Sequence, residues 1–302
     1  MPDRLRRGAG RLGRKFLVAF GAAILLWAGL GNPGSVRPLH RARWITVDGL
    51  RLRALYAGRG DTTLVFLHGY GESLMAWRLV LDRFTRHYRV LAVDLPGHGR
   101  SDKPDGPYDY PALVRQLSRL LDQETRGPVV LVGHSLGGQL AAGLALARPD
   151  RVRALVLIAP AGAGINPFLT DTAGIASPAT QWVASALSFV LPVRDSAWLR
   201  EPDGDAATGA HGDSLSVLAT RRVLEQFDFS AIGDAFADLR QPVLLIWGRQ
   251  DPTIPWSIGQ RIAGLLPCRR FITVNALHRP HQTLPDEVGA AMEAFLRAPD
   301  CG

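Results

Sequence analysis

Short apolar runs alternate with longer amphipathic stretches from residue 44 to the end of the chain. The short runs are rich in Val, Leu and Ile, which is typical of strands buried on both faces of a sheet. An opening hairpin is predicted at 44–48 and 50–57, because Asp48-Gly49 is a favoured two-residue turn. The buried strands predicted after it cover residues 63–67, 88–93, 129–132, 154–158, 243–247 and 270–274.

Helices are predicted between several of these strands, where apolar residues recur at helical spacing. They cover residues 73–84, 110–124 and 136–148, and Pro149 ends the last of them. The alternation of strands and helices predicts an α/β fold, with a mostly parallel eight-stranded sheet and helices on both faces.

This alternation is interrupted between residues 162 and 239. The stretch contains amphipathic pieces at 181–191 and 214–227 and no clear strand. We interpret residues 162–239 as an inserted helical cap, so that the core consists of residues 44–161 and 240–302.

Charge is distributed unevenly along the 302 residues, whose net charge is +8 at pH 7. Residues 1–43 contain nine Lys or Arg and one acidic residue, Asp3, whereas the remainder contains 26 basic and 26 acidic residues. A neutral body lacks the basic excess of nucleic-acid-binding proteins, so no nucleic-acid partner is expected. With 47% apolar residues, the chain is long and apolar enough to bury a full core.

The basic segment 1–43 has the pattern of a targeting or anchoring sequence. Arginines precede an uncharged run at 16–30, and Gly31-Asn32-Pro33-Gly34 then breaks any helix. A weak small-x-small site at 29–31 favours an uncleaved membrane anchor over export with cleavage. In both cases the positive-inside rule puts the body outside the cytoplasm. A buried helix of a cytosolic protein is a further alternative.

The chain has only two cysteines, Cys268 and Cys301. Two thiols are too few for a disulfide framework or a cysteine-based metal site, and we expect them to be unpaired, with a single bridge as the alternative. The sequence also lacks the G-x-x-x-x-G-K-[ST] phosphate loop and the H-E-x-x-H helix of zinc proteins. No cofactor and no metal are therefore expected.

The strongest chemical motif is Gly133-His134-Ser135-Leu136-Gly137, a G-x-S-x-G pentapeptide. It lies between a predicted strand and a predicted helix, which is the context of a nucleophile elbow. The turn is so sharp that the flanking residues must be small, and glycines at 133, 137 and 138 meet this need. Ser135 is therefore the candidate nucleophile.

A serine hydroxyl needs a base, and the base needs a third group that holds its tautomer. After a nucleophile elbow the acid precedes the histidine along the chain. Asp251 follows the strand predicted at 243–247 and His278 follows the strand predicted at 270–274, so these are the candidate acid and base. His281 is the alternative base. The alternative acids, none of which follows a strand, are Asp228, Asp234 and Asp238.

Hydrolysis through a serine also needs N–H donors for the oxyanion of the tetrahedral intermediate. One donor comes from the residue after the nucleophile, and a second comes from the loop after an early strand. Leu136 N–H is the first candidate. Tyr70 N–H, in the loop His68-Gly69-Tyr70-Gly71, is the second.

Together these motifs resemble the α/β-hydrolase superfamily, and specifically its capped serine hydrolases, over residues 44–298. Serine at position 135 argues against epoxide hydrolases and haloalkane dehalogenases, which resemble this group but use Asp there. One departure is visible, since the family often has Glu five residues after the catalytic histidine and this chain has Thr283. The matching segments are 68–71, 94–101, 133–138, 248–251 and 278–285.

The resemblance and the motifs predict a serine hydrolase that cleaves a carboxylic ester or related acyl substrate through an acyl-enzyme. A C–C bond hydrolase or an acyltransferase with the same triad is the alternative, and a non-catalytic, membrane-tethered binding protein is the alternative of another class. The candidate substrate-binding aromatics, which favour a small apolar acyl substrate, are Trp77, Trp182, Phe189 and Trp198.

Overall fold

Nine strands form one sheet in the computed structural model, which describes residues 40–163, 199–200 and 214–301. The order across the sheet is β7-β1-β2-β4-β3-β5-β6-β8-β9. Only the β1–β2 and β2–β4 pairs are antiparallel, and the other described pairs are parallel. The strands are β1 (His40–Val47), β2 (Leu50–Gly58), β3 (Thr63–Leu67), β4 (Arg89–Val93), β5 (Val129–His134), β6 (Val152–Ile158), β7 (Leu199–Arg200), β8 (Val243–Gly248) and β9 (Arg269–Val274).

The eight strands predicted from the sequence are β1 to β6, β8 and β9, and the predicted α/β fold is confirmed. The hairpin turn between β1 and β2 has Asp48 at φ 52° and Gly49 at φ 80°. Two consecutive left-handed residues form the tight turn whose twist fits paired strands. β7 is an addition, because no strand was expected between residues 162 and 239.

Six α-helices are described in these ranges. Two of them, α1 and α2, were predicted as crossover helices, and α3 was predicted within the cap. The helices are α1 (Tyr110–Glu124), α2 (Leu136–Ala147), α3 (Ser214–Gln226), α4 (Trp256–Leu265), α5 (Pro280–Thr283) and α6 (Pro285–Arg297).

The α-helix predicted at 73–84 is wrong. Two short 3-10 helices, Leu74–Trp77 and Leu81–Phe84, occupy this segment. Their apolar residues lie three apart, and a 3-10 turn places residues at this spacing on one side. All four terminal residues of the two helices are buried against the sheet, so the tighter turns satisfy the same apolar pattern.

Alternate residues of the strands pack into two separate cores, one on each face of the sheet. In β3, Val65 and Leu67 join the core beneath α1 and α2, whereas Leu64 and Phe66 join the core beneath the 3-10 helices and α6. This alternation follows from the two-residue period of a strand. Because both faces of the sheet are covered, a ligand site is expected at the carboxyl ends of the strands.

The described part of the predicted cap is α3 and the segment that follows it, including a 3-10 helix at Gly233–Asp238. Phe227, Phe229 and Phe236 from this part are buried in the core beneath α1 and α2. The helix predicted at 181–191 lies outside the described residues, and the boundaries of the cap stay a prediction.

Cys268 and Cys301 form a disulfide, with their Cα atoms 4.7 Å apart. The expectation of two unpaired thiols was therefore wrong, and the alternative of a single bridge holds. Cys268 directly precedes β9 and Cys301 follows α6, so the bond ties the end of the described chain to the start of an edge strand. The two cysteines are 33 residues apart along the chain, and nothing in the sequence indicates that they lie close together in the fold.

Within the described ranges, every helix is too short or too polar to cross a membrane. The apolar run at 16–30 lies outside these ranges.

Candidate active site

Ser135 lies at the turn between β5 and α2, at the carboxyl edge of the sheet. Its backbone has φ 51° and ψ −114°, a strained conformation for a residue with a side chain. A Cβ at Gly133 would lie 2.3 Å from the carbonyl oxygen of Gly137, and a Cβ at Gly137 would lie 2.2 Å from that of Leu67. Only glycine fits at these two positions, so the motif forms the predicted elbow and presents Ser135 at its apex.

His278 and Asp251 meet at the same edge, after β9 and β8 respectively. His278 Nδ1 lies 2.7 Å from Asp251 Oδ2. The other carboxylate oxygen, Oδ1, accepts hydrogen bonds from the N–H groups of Thr253 at 2.8 Å and Ile254 at 2.9 Å. Because the carboxylate can only accept, His278 carries its hydrogen on Nδ1 and leaves Nε2 as the basic nitrogen.

Two opposing effects set the pKa of His278. Burial disfavours the charged imidazolium and lowers the pKa, and the negative charge and hydrogen bond of Asp251 raise it. Burial prevails, so the pKa lies below its ordinary value. The imidazole is therefore neutral near pH 7, which is the form that a general base needs.

The alternative base and acids lie in other surroundings. His281 is fully buried, with the rings of Trp77 and His134 each centred 4.6 Å from its own, and burial holds its pKa well below the ordinary value. Asp228 accepts hydrogen bonds from Ser230. The other two alternative acids lie in the 3-10 helix at Gly233–Asp238, where Asp234 pairs with Arg261 and Asp238 is the last residue.

Both predicted oxyanion donors lie at the edge that holds Ser135. Leu136 is the first residue of α2, and Tyr70 follows β3, which pairs with β5 in parallel register up to Leu67 and Gly133. The hydroxyl of Tyr70 donates to the carbonyl oxygen of Thr220 in α3 at 3.0 Å, and burial raises the pKa of this phenol to about 12. This contact ties the loop of residues 68–71, called the oxyanion loop below for its predicted role, to the described part of the cap.

Sequence reasoning missed Glu72, a buried carboxylate beside the oxyanion loop. Its oxygens accept from the N–H of Gly69 at 2.9 Å and lie 3.0 Å from His134 Nδ1 and 2.9 Å from Arg279 Nε. Gln282 Nε2 is a fourth donor, at 3.1 Å. The partners lie up to 210 residues away along the chain, so no local pattern could have indicated them.

Glu72, His134 and His281 also lie close enough together to be considered as ligands of a metal ion. The four N–H donors already occupy the lone pairs of the Glu72 carboxylate, and the guanidinium of Arg279 opposes a second cation. This donor set does not favour a metal.

The predicted substrate-binding aromatics divide between two cases. Trp77 is fully buried in the core, where its ring packs edge-on against Phe66 at 5.2 Å. The expectation that Trp77 lines the substrate pocket is therefore corrected. Trp77 lies three residues after Leu74 in the 3-10 helix, and this spacing places both side chains on the side that faces the sheet. Trp182, Phe189 and Trp198 lie outside the described residues.

Comparison with known proteins shows which family has this fold. A family model described as alpha/beta hydrolase fold matches residues 62–282. The chain is 30% identical over 217 residues to the dihydrolipoyllysine-residue acetyltransferase component of the acetoin cleaving system of Cupriavidus necator, covering 69% of this chain and 57% of that protein.

A second relative matches over most of its own length. The 2-hydroxy-6-oxononadienedioate/2-hydroxy-6-oxononatrienedioate hydrolase of Burkholderia vietnamiensis is 30% identical over 247 residues, which is 74% of this chain and 83% of that protein. A membrane phospholipase A of known structure superposes with a TM-score of 0.67 at 23% identity, over 96% of this chain and 98% of the other, and so has the same fold. The hydrolases among the relatives support a hydrolase activity. By the family match over residues 62–282, the chain belongs to the alpha/beta hydrolase fold family.

Proposed function

We propose that this protein is a serine hydrolase that cleaves a carboxylic ester or related acyl substrate through an acyl-enzyme. The observation that carries the proposal is the 2.7 Å contact between His278 and Asp251 at the sheet edge where Ser135 stands at a strained elbow. A nucleophile, a neutral base and a buried acid are the groups that acyl transfer requires.

Acylation begins when Ser135 Oγ attacks the carbonyl carbon and His278 Nε2 takes its proton. The resulting oxyanion accepts hydrogen bonds from the N–H groups of Tyr70 and Leu136. His278 then gives the proton to the leaving alcohol as the C–O bond breaks. Asp251 stabilises the transient imidazolium without being protonated itself.

Deacylation repeats these roles with water as the nucleophile. His278 removes a proton from water, which attacks the acyl carbon, and the proton then returns to Ser135 Oγ as the acid leaves. The reaction needs no cofactor, since the protein's own groups supply the base, the nucleophile and the oxyanion donors.

The test is hydrolysis of a p-nitrophenyl ester series of increasing chain length by the wild-type protein and by Ser135→Ala. We expect turnover to fall by at least about 10³-fold in the variant, as for other enzymes that lose this nucleophile. Ser101→Ala is the matched control, because Ser101 is also buried but its hydroxyl bonds to the backbone of Arg53 and Asp94. Full turnover by Ser135→Ala would refute the proposal.

Two related chemistries use the same groups. The Burkholderia relative is named as a hydrolase of 2-hydroxy-6-oxononadienedioate, a ketone-bearing diacid for which C–C cleavage is one possible reaction, and the Cupriavidus relative is named as an acetyltransferase component. Labelling of Ser135 by a fluorophosphonate probe without turnover of any ester would shift the proposal to one of these. Failure of the probe to label Ser135 would favour a non-catalytic binding protein.

For the substrate we propose a small apolar acyl compound. The series ranks acyl lengths directly, so a preference for short charged esters over apolar ones would contradict this choice. The support is the aromatic content of the predicted cap at Trp182, Phe189 and Trp198.

We also propose that the basic and apolar segment 1–43 anchors the protein in a membrane with the catalytic body outside the cytoplasm. The disulfide between Cys268 and Cys301 supports this location, since such bonds persist in oxidising compartments. Protease added to intact spheroplasts should digest the body and leave a cytoplasmic marker protein intact. Protection of the body would contradict the proposal, and recovery of the soluble body without residues 1–43 would indicate export with cleavage instead.

A further inference from the structure

Glu72 contacts three of the four segments that carry the proposed catalytic groups. One of its oxygens, Oε2, accepts from Gly69 N–H in the oxyanion loop and lies 3.0 Å from Nδ1 of His134, the residue before the nucleophile. The other, Oε1, lies 2.9 Å from Arg279 Nε and 3.1 Å from Gln282 Nε2, both just after the candidate base. Its side chain is only 7% exposed, so these contacts are made away from water.

His134 extends this connection to the base itself. Its Nε2 lies 2.9 Å from the backbone carbonyl oxygen of His278, and the two rings are centred 4.8 Å apart. A carbonyl oxygen only accepts, so Nε2 carries a hydrogen, and Nδ1 faces a carboxylate that also only accepts. Each ring nitrogen therefore faces an acceptor, and the contact between His134 and Glu72 has the geometry of a salt bridge.

The charges around Glu72 are consistent with this ionised pair. Burial raises the pKa of its carboxyl, but the positive charges of His134 and Arg279 outweigh burial and hold the pKa well below the ordinary value. The side chain of His134 is also buried, at 2% exposed. The pair is thus an ion pair removed from solvent.

The oxyanion loop is fitted closely onto this pair. A Cβ on Gly69 would lie 2.7 Å from His134 Nδ1 and 2.9 Å from Glu72 Oε2, so a side chain at position 69 would displace one or both groups. Burying two charges costs desolvation energy, and apolar residues of similar volume often stabilise a fold as well. Stability alone therefore does not account for an ion pair at the junction of three loops.

We propose that Glu72 is a positioning residue which, through its ion pair with His134, fixes the Tyr70 N–H and the His278 imidazole relative to Ser135. The inference rests on the proposed serine chemistry. Glu72 holds the residue directly before Tyr70 and, through His134, the carbonyl of His278. A displacement of about 1 Å at such groups can cost up to about 10²-fold in rate.

The test compares Glu72→Gln with Asp94→Asn. Both changes replace a buried, arginine-paired carboxylate by its isosteric amide. The hydrogen bonds of Asp94, however, go to Arg53, Leu74 and Arg100, and not to Gly69, His134 or the residues after His278. Glu72→Gln should lower kcat by about 10- to 100-fold with KM changed by less than about threefold. Asp94→Asn should lower the unfolding temperature with a smaller effect on kcat per folded molecule. Equal kcat losses in the two variants would overturn the proposal.

The second-order rate of Ser135 labelling by a fluorophosphonate gives a readout that is independent of the substrate. Phosphonylation uses the nucleophile, the base and the oxyanion donors, so Glu72→Gln should label about 10-fold or more slowly than wild type. If wild-type Ser135 is labelled without ester turnover, the ester proposal fails and this rate still tests Glu72. Labelling of the variant at the wild-type rate would refute the positioning role.

His134→Gln provides a second variant in case Glu72→Gln does not fold. The amide of Gln retains a donor for the His278 carbonyl and loses the positive charge, and its labelling rate should fall in the same way. If the pair acts as a unit, the labelling rate of the double variant Glu72→Gln/His134→Gln should be no lower than that of the slower single variant. Independent, multiplying losses would contradict the coupling of Glu72 to His134.

Discussion

The neutral imidazole of His278 depends on the balance between its burial and the charge of Asp251. Burial lowers its pKa below the ordinary value, and Asp251 limits that decrease. A base with a lowered pKa remains unprotonated at pH values where an exposed histidine would already be charged. The environment of this one residue therefore sets the acid limit of the proposed activity.

Asp251→Asn should change both the rate and the pH dependence of hydrolysis. The midpoint of the acid limb of kcat/KM is expected below pH 6.5 for the wild type, because activity is lost as pH falls through the lowered pKa of His278. Removing the negative charge lowers that pKa further, so the midpoint should move to lower pH. Without the Asp251 carboxylate, His278 is no longer held in the tautomer that has its hydrogen on Nδ1, and kcat should fall by about 10⁴-fold. A midpoint that rises in the variant, measured on p-nitrophenyl acetate, would contradict this electrostatic assignment.

The sequence indicated Ser135, Asp251 and His278 because each follows a predicted strand in the order that the chemistry requires. It gave no indication of Glu72, whose contacts join segments 62 to 210 residues apart. The departure noted at Thr283 belongs to the same neighbourhood, since Thr283 Oγ1 donates to the carbonyl of Arg279. The carboxylate that contacts Arg279 and Gln282 comes from Glu72 on another loop, an arrangement visible only in three dimensions.

At the scale of elements, the elbow depends on how closely α2 approaches β3. Gly137 stands in the first turn of the helix, where its Cα faces the carbonyl oxygens of Leu67 and His68. Backbone atoms cannot give way as a flexible side chain can. The distance between the helix and the strand therefore fixes where Ser135 stands relative to the oxyanion loop.

Gly137→Ala should abolish esterase activity and destabilise the fold. Its Cβ would lie 2.2 Å from Leu67 O and 2.5 Å from His68 O, so α2 would have to move away from β3. Gly264→Ala is the matched control, because a Cβ at this exposed position in α4 meets nothing within 4 Å. The control should keep wild-type kcat and gain up to about 1 kcal/mol of stability from helix propensity. Wild-type kcat and unfolding temperature in Gly137→Ala would show that the elbow tolerates displacement.

Element type was predicted well where the turn chemistry or the strand pattern was decisive. The hairpin at Asp48-Gly49 and the buried strands have the local signals that fix them. The α-helix predicted at 73–84 was wrong because apolar spacings of three and four residues fit both an α-helix and a pair of 3-10 turns. Contacts outside the segment, such as the hydrogen bond from Leu74 N–H to Asp94 Oδ1 at 2.6 Å, favour the turns.

At the scale of the whole molecule, the proposed chemistry and the disulfide lie at opposite ends of the parallel strands. Ser135, Asp251 and His278 follow the carboxyl ends of β5, β8 and β9, whereas Cys268 precedes the amino end of β9. Stability and catalysis can therefore be perturbed separately. The sequence could not predict this bond, because a pairing depends on the relative placement of β9 and the residues after α6.

The double variant Cys268→Ser/Cys301→Ser should lose stability and keep its activity. A bridge across 33 residues is expected to contribute about 3 to 4 kcal/mol by limiting the unfolded chain. The unfolding temperature should fall by roughly 6 to 16 °C, at about 2 to 4 °C per kcal/mol for a domain of this size. Because the bond is remote from the catalytic edge, kcat at 25 °C should stay within about twofold of the wild type. Dithiothreitol should reproduce the shift in the wild type and leave the double variant unaffected. A reductant-sensitive kcat in the wild type would instead show that the bond affects the position of His278 at the other end of β9.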